Sequence, residues 1–143
     1  MKDIVAPLPK EQIIAELTPG KLLRKTNKGG NEIYVATHKD SPALMHEIGR
    51  LREITFRDAG GGTGKETDID AFDTADVPYK QLIVWDPEAR EILGGYRYIV
   101  CSEAPVDDNG ELQLATSRLF HLSDKFVKDF LPYTLELGRS FVQ

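Results

Sequence analysis

The sequence predicts an α/β fold, a mostly antiparallel sheet of about four strands with one long helix packed on it. Three observations predict it. Runs rich in β-branched and aromatic residues recur at 32–37, 79–85, 91–101 and 135–142. One long segment, residues 42–58, carries helical periodicity. The connection Asp86-Pro87-Glu88-Ala89-Arg90 is a good turn and makes a hairpin of the second and third runs.

Composition narrows the class. With 143 residues, 41% of them hydrophobic and 29% charged, the chain has the length and balance of one globular domain. A formal net charge of −5 and a pI near 5.2 argue against a nucleic-acid binder that works by neutralising phosphates, and no long basic run changes that. The apolar runs fall far short of the roughly 20 residues of a bilayer span, and the N-terminus lacks the apolar core of a signal peptide, so a cytoplasmic protein is expected. One cysteine, Cys101, leaves no internal disulfide and no multi-cysteine metal site. His38, His46 and His121 are widely spaced and form no zinc-ligand pattern, so no metal is implied.

Residues 1–30 read as an N-terminal arm. Pro7, Pro9, Pro19, Gly20, Gly29 and Gly30 surround one short helical candidate, residues 10–17, with Ile13, Ile14 and Leu17 at helical spacing. Lys21, Arg24, Lys25 and Lys28 are either a solvated basic face or a contact for an acidic carrier or lipid headgroups. Residues 31–143 form the domain proper. After the first strand, Asp40 or Ser41 caps the long helix, which opens with Pro42 in its first turn. Leu44, Ile48, Leu51 and Thr55 make the stripe that faces the sheet. Arg52 breaks that pattern, four residues from Phe56, and reads either as an arginine snorkelling from the helix edge or as a charge set beside an aromatic ring.

The run Ala59-Gly60-Gly61-Gly62-Thr63-Gly64-Lys65-Glu66 tempts a phosphate-loop assignment and fails it. Ala59 and Glu66 stand where the pattern needs glycine and a hydroxyl residue, and the run follows a helix instead of linking a strand to one. It is better read as a mobile segment able to close over a substrate. Asp68, Asp70, Asp73 and Asp76 follow in quick succession without the glycine and glutamate of an EF-hand loop. They form either a solvated acidic loop or a pocket wall that holds a cationic amine or an arginine.

In the hairpin, Leu82-Ile83-Val84-Trp85 and Ile92-Leu93 supply core residues, and Gly94-Gly95 lets another backbone or a ligand approach. Arg97 shares a face with Ile99 and Cys101, an odd place for a charge unless a carboxylate meets it. Residues 102–115 read as a loop, and Ser123 caps a short helix carrying Phe126 and Phe130 that Pro132 ends. In the last strand, Glu136 and Arg139 are three positions apart, so they share a face only if an extra residue interrupts the alternation. Gly138 is the residue that permits such a bulge. A bulged strand with these two groups suits a site that binds an acyl group and removes a proton; a regular one is an edge strand with a solvated ion pair.

Four segments together resemble a known family: Leu51-Arg52 with Phe56, Asp68-Ile69-Asp70-Ala71-Phe72-Asp73, Gly95-Tyr96-Arg97, and Glu136-Leu137-Gly138-Arg139-Ser140-Phe141-Val142. In order and approximate spacing, over about residues 48–142, they are similar to the GNAT-fold N-acyltransferases of the ornithine-lipid or aminolipid branch. Members of that branch are also called hemolysin-like and are distantly similar to acyl-homoserine-lactone synthases. The resemblance implies that residues 31–143 are the N-terminal portion of a GNAT-like domain. It implies that Arg52, Phe56, Asp70, Asp73 and Arg97 bind and brace substrates, and that Glu136 and Arg139 act in catalysis, Glu136 assisting deprotonation of the attacking amine. The implied reaction moves a fatty, 3-hydroxylated acyl group from an acyl carrier protein thioester, or acyl-CoA, to the amine of a small amino acid such as ornithine or glycine in aminolipid biosynthesis. No bound cofactor is implied; the implied partners are acyl carrier protein, the amino-acid acceptor and the inner face of the membrane. Glycines replace a tryptophan of the lactone synthases, which argues against a nucleoside-sulfonium donor. Because that fold continues past this strand, the 143 residues are expected to belong to a longer protein and to be inactive alone, with the exposed last strand either self-associating with another copy or staying open. The competing reading is a non-catalytic protein- or membrane-binding module built on half of the fold.

Overall fold

Helix α1 (Lys10–Glu16) and strand β1 (Leu22–Lys25) open the chain in the computed structural model, which describes residues 1–143. Strand β2 (Glu32–Ala36), helix α2 (Pro42–Asp58), the single-turn helix α3 (Ala71–Thr74) and the hairpin of β3 (Lys80–Asp86) and β4 (Glu91–Val100) follow. Helix α4 (Asp124–Asp129) and strand β5 (Leu135–Val142) end it. The strands form one antiparallel sheet in the order β1-β2-β3-β4-β5, with α2 packed on it. The fold class is the expected one, with five strands instead of about four. The additional strand comes from the N-terminal arm: the Thr26 and Asn31 backbones close a turn in which Gly29 and Gly30 are left-handed, and this returns the chain into β2. Charged Arg24 and Lys25 hid the strand from its composition.

Helix α1 is likewise tied down. Ser41 occupies the N-cap position of α2, as expected, but its side chain makes no capping bond. The Glu16 carboxylate at the end of α1 does so instead, accepting from the N–H groups of Ala43 at 3.1 Å and Leu44 at 2.6 Å. A negative charge there satisfies two orphan donors and complements the helix dipole.

Leu44, Met45, Ile48 and Leu51 of α2 meet Tyr34, Ile83, Trp85, Ile92 and Phe141 of the sheet in the main apolar cluster. Burying each such side chain contributes about 1.5–3 kcal/mol. A second cluster, with Phe72, Tyr79, Ile99, Cys101, Leu114 and Leu131, lies under the 101–134 connection. Gly94 and Gly95 do admit a close backbone, since a Cβ on Gly94 would sit 2.6 Å from the Phe141 carbonyl oxygen. The glycine-rich loop differs from its expected mobility. Buried Glu53 accepts from the Thr63 hydroxyl at 2.6 Å, the Gly64 N–H at 2.8 Å and the Thr63 N–H at 3.1 Å, and the Lys2 N–H reaches the Gly64 carbonyl. The loop is thus stitched to α2 and to the N-terminus. No helix is long and apolar enough to cross a membrane.

Candidate active site

The site begins with a fault in the β4–β5 ladder. Gly95 pairs with Phe141 and Arg97 with Gly138, so β5 advances three residues while β4 advances two. That extra residue is the expected bulge. The left-handed residue, however, is Arg139 at φ 53°, not Gly138. The interrupted alternation turns Glu136 and Arg139 to one face, the face of Arg97 and Ile99.

An ionic network fills the centre of that face. Arg52 of α2 donates to both oxygens of Asp73, at 3.1 and 3.2 Å, and to the Gln81 carbonyl oxygen at 2.6 Å. Gln81 donates back to Asp73 at 2.9 Å. Arg97 bonds Asp70 at 2.7 Å and lies 3.2 Å from Asp73. Arg139 contacts Asp70 at 3.3 Å and Asp68 at 3.6 Å. The same aspartates build α3: Asp70 caps it, and Asp73 accepts from the Asp70 N–H. Asp68, Asp70 and Asp73 are therefore a wall meeting arginines, while Asp76 stays exposed.

Three guanidiniums face three carboxylates, so the wall is close to self-neutral. Burial opposes ionisation of Asp70, but the hydrogen bonds and charges of Arg97 and Arg139 outweigh it and hold this carboxyl well below the usual range. Burial dominates at Asp68 and pushes it up. Arg52 and Asp73 are closed to solvent, with side chains 0% and 1% exposed. They brace the site from within.

Glu136 stands apart from this wall, joined to it by Tyr79. The Tyr79 hydroxyl donates to Glu136 Oε1 at 2.6 Å and accepts the Ala115 N–H at 2.8 Å, while the Thr116 N–H donates to Oε2 at 3.2 Å. The Arg97 guanidinium carbon lies 5.0 Å from the Tyr79 ring centroid. Glu136 thus makes hydrogen bonds but no ion pair, and it also lines a mainly apolar cavity of about 130 Å³ with Cys101, Leu114, Leu122 and Phe126. Burial and the nearby Glu136 charge push the Cys101 thiol up, so it remains a protonated thiol and a poor nucleophile.

Of the residues expected at a site, Arg52, Asp70, Asp73, Arg97 and Arg139 converge in one network, and Glu136 is one tyrosine away. Phe56 is not among them. Its ring packs against the main apolar cluster, because the Arg52 guanidinium turns inward to Asp73 and Gln81 instead of lying beside it. Gln81 and Tyr79 join the site without having been singled out, and Asp68, one of the carboxylates read as a pocket wall, joins it through Arg139. The basic cluster is partly spent, with Lys21 bonded to the Glu16 and Asp40 carbonyls and Arg24 to Lys25 and Asn27. No group of three or more His, Cys, Asp or Glu side chains is placed to hold a metal ion.

Comparison with known proteins points the same way. Two curated relatives, from Phocaeicola vulgatus and Bacteroides thetaiotaomicron, are each named glycine N(alpha)-acyltransferase. They are 60% and 58% identical to this chain over 142 residues. The match takes in 99% of this chain but 44% and 42% of the relatives, so the chain spans less than half their length. No solved structure gives a significant match. Residues 51–143 match the model of the acetyltransferase (GNAT) domain, which takes in α2 after its second turn, the ionic wall and the whole of β3, β4 and β5. The chain belongs to the GNAT acetyltransferase-domain family.

Proposed function

We propose that this chain is the N-terminal portion of an N-acyltransferase of the aminolipid branch, with Glu136 as the group that relieves the attacking amine of its proton. An ammonium has no free lone pair, so it must lose a proton before it can attack a thioester carbonyl. The amine nitrogen then bonds to the carbonyl carbon, the C–S bond breaks, and the carrier thiol leaves. Backbone N–H groups at the β5 bulge, on the edge strand of the sheet, are the donors for the tetrahedral oxyanion. The observation that carries this reading is the Glu136 carboxylate: it is held by neutral donors and free of ion pairs, on the strand whose bulge opens the backbone beside it.

The names of the relatives favour glycine as acceptor over ornithine. A fatty, 3-hydroxylated acyl group on acyl carrier protein is the proposed donor, with acyl-CoA as the other source of a thioester. Lys25 and Lys28 remain available to meet an acidic carrier or anionic headgroups, consistent with a cytoplasmic enzyme working at the membrane's inner face.

The test uses full-length protein with acyl carrier and CoA thioesters and a panel of amino acids. Acylation of glycine is expected, and Glu136→Gln should slow it by about 10²–10⁴-fold. A variant within about twofold of wild type removes the proton-transfer role. A stable protein or membrane complex with no amine acylated would make the chain a binding module.

A further inference from the structure

One buried polar group beside Glu136 is not part of the ionic wall and has no role in the chemistry above. Tyr79, the residue before β3, is 1% exposed, and its ring lies between the second apolar cluster and Arg97, with the Phe72 ring centroid 5.4 Å away. Its hydroxyl meets only two partners, the Glu136 carboxylate and the Ala115 N–H. An amide N–H can only donate, so the hydroxyl must accept from Ala115 and aim its single proton at Glu136. The direction of this bond is fixed by the surroundings. Burial, and then the bond to Glu136, push the phenol well above its usual range, so the proton stays on Tyr79.

We infer that Tyr79 is a positioning residue for Glu136, fixing the carboxylate through a one-way hydrogen bond. The inference rests on the acyl-transfer reading above. The Arg97 and Arg139 guanidiniums of the wall bind Asp68, Asp70 and Asp73. The Glu136 carboxylate instead holds the phenol and the Thr116 N–H, one on each oxygen. A carboxylate captured by a guanidinium is a weak base, because the cation favours its charged form. One held by a phenol and an amide keeps a fixed orientation and spare lone pairs on both oxygens, which is the state a proton acceptor needs. Tyr79 also ties the 114–116 segment to Glu136, since Ala115 and Thr116 donate to successive members of the same chain of bonds.

The experiment is a double-mutant cycle in the full-length protein, with kcat and KM for amine and acyl donor read well below each variant's measured Tm. Tyr79→Phe keeps the ring, and so its contacts with Phe72 and Arg97, while removing the hydroxyl. It should lower kcat at least tenfold and leave the KM for the acyl donor within about twofold. In the Glu136→Gln background the same change should alter kcat by less than about twofold, because there is no proton acceptor left to orient. A merely structural loss would instead multiply equally in both backgrounds, and that result overturns the inference. Unchanged kcat in Tyr79→Phe overturns it as well, while wild-type activity leaves the acyl-transfer reading standing. If the wild type acylates no amine at all, that reading falls and takes the positioning role with it.

Discussion

Replacing Glu53 with glutamine tests whether the glycine-rich loop is held by charge. Glu53 is fully buried and accepts four bonds: from Arg57 Nε at 2.7 Å, the Thr63 hydroxyl at 2.6 Å, and the N–H groups of Gly64 at 2.8 Å and Thr63 at 3.1 Å. Burial disfavours its charge, but these donors outweigh burial and bring the carboxyl from 4.5 down to about 2. That difference corresponds to about 3 kcal/mol of stability at neutral pH. Glutamine keeps one oxygen and turns an NH₂ toward donors, so it forfeits charge-assisted bonds and strands an N–H, both losses in the same direction. Because the folded carboxyl titrates lower than the unfolded one, the stabilisation is complete above about 4.5 and vanishes as pH falls through about 2. Urea unfolding of wild type and Glu53→Gln should therefore differ by about 3 kcal/mol at pH 7 and converge between pH 4.5 and 2, with the slope unchanged. Amide exchange at Thr63 and Gly64 should quicken in the variant. A gap below about 1 kcal/mol at pH 7, or one that pH does not narrow, would refute the reasoning.

Asp73→Asn removes the charge that Arg52 and Arg97 share in a site closed to water. Chemical denaturation should show a loss of about 3–5 kcal/mol, and a loss below about 1 kcal/mol would mean that Asp70 and Gln81 suffice. Gly94→Ala places a Cβ 2.6 Å from the Phe141 carbonyl oxygen, a backbone atom that moves only with β5. Thermal unfolding should report about 1–3 kcal/mol of overpacking, and an unchanged Tm would show that the two strands separate freely there.

What the sequence could disclose was local contradiction. Arg97 stands out because strand alternation puts a charge on the face of Ile99 and Cys101, and a charge in that position demands a partner. Arg52 stands out for the same reason on a helix. The bulge was legible as a parity problem, since Glu136 and Arg139 share a face only when one residue is inserted. The hinge of that bulge was not, because Gly138 offers conformational freedom but Arg139 adopts the left-handed backbone. Phe56 lies apart from the network because a four-residue helical offset makes two side chains neighbours on the helix, while the rotamers send one to Asp73 and the other to the core. Glu16 capping α2 across 28 positions, Glu53 gripping the glycine loop, and Tyr79 meeting Glu136 across 57 are contacts between remote segments. No periodicity or spacing encodes them.

The wall and Glu136 answer different physical needs. A buried ion network is a poor source of net stability, because desolvating its charges costs about what their attraction returns. Its effect is geometric: Arg52 comes from α2, Asp70 and Asp73 from the α3 turn, Gln81 from β3, Arg97 from β4 and Arg139 from β5. Shifting any one of these elements breaks a bond inside a water-poor region, where the stranded partner is expensive. The network therefore holds β5 where it leaves the regular ladder, on the strand that carries Glu136. Having neutralised itself, it leaves no free charge on this face of β5 except the one carboxylate that only a phenol and an amide hold in place. Chemistry that needs a base in a well-defined position is served by that separation, with the paired charges in the wall and a single carboxylate outside it.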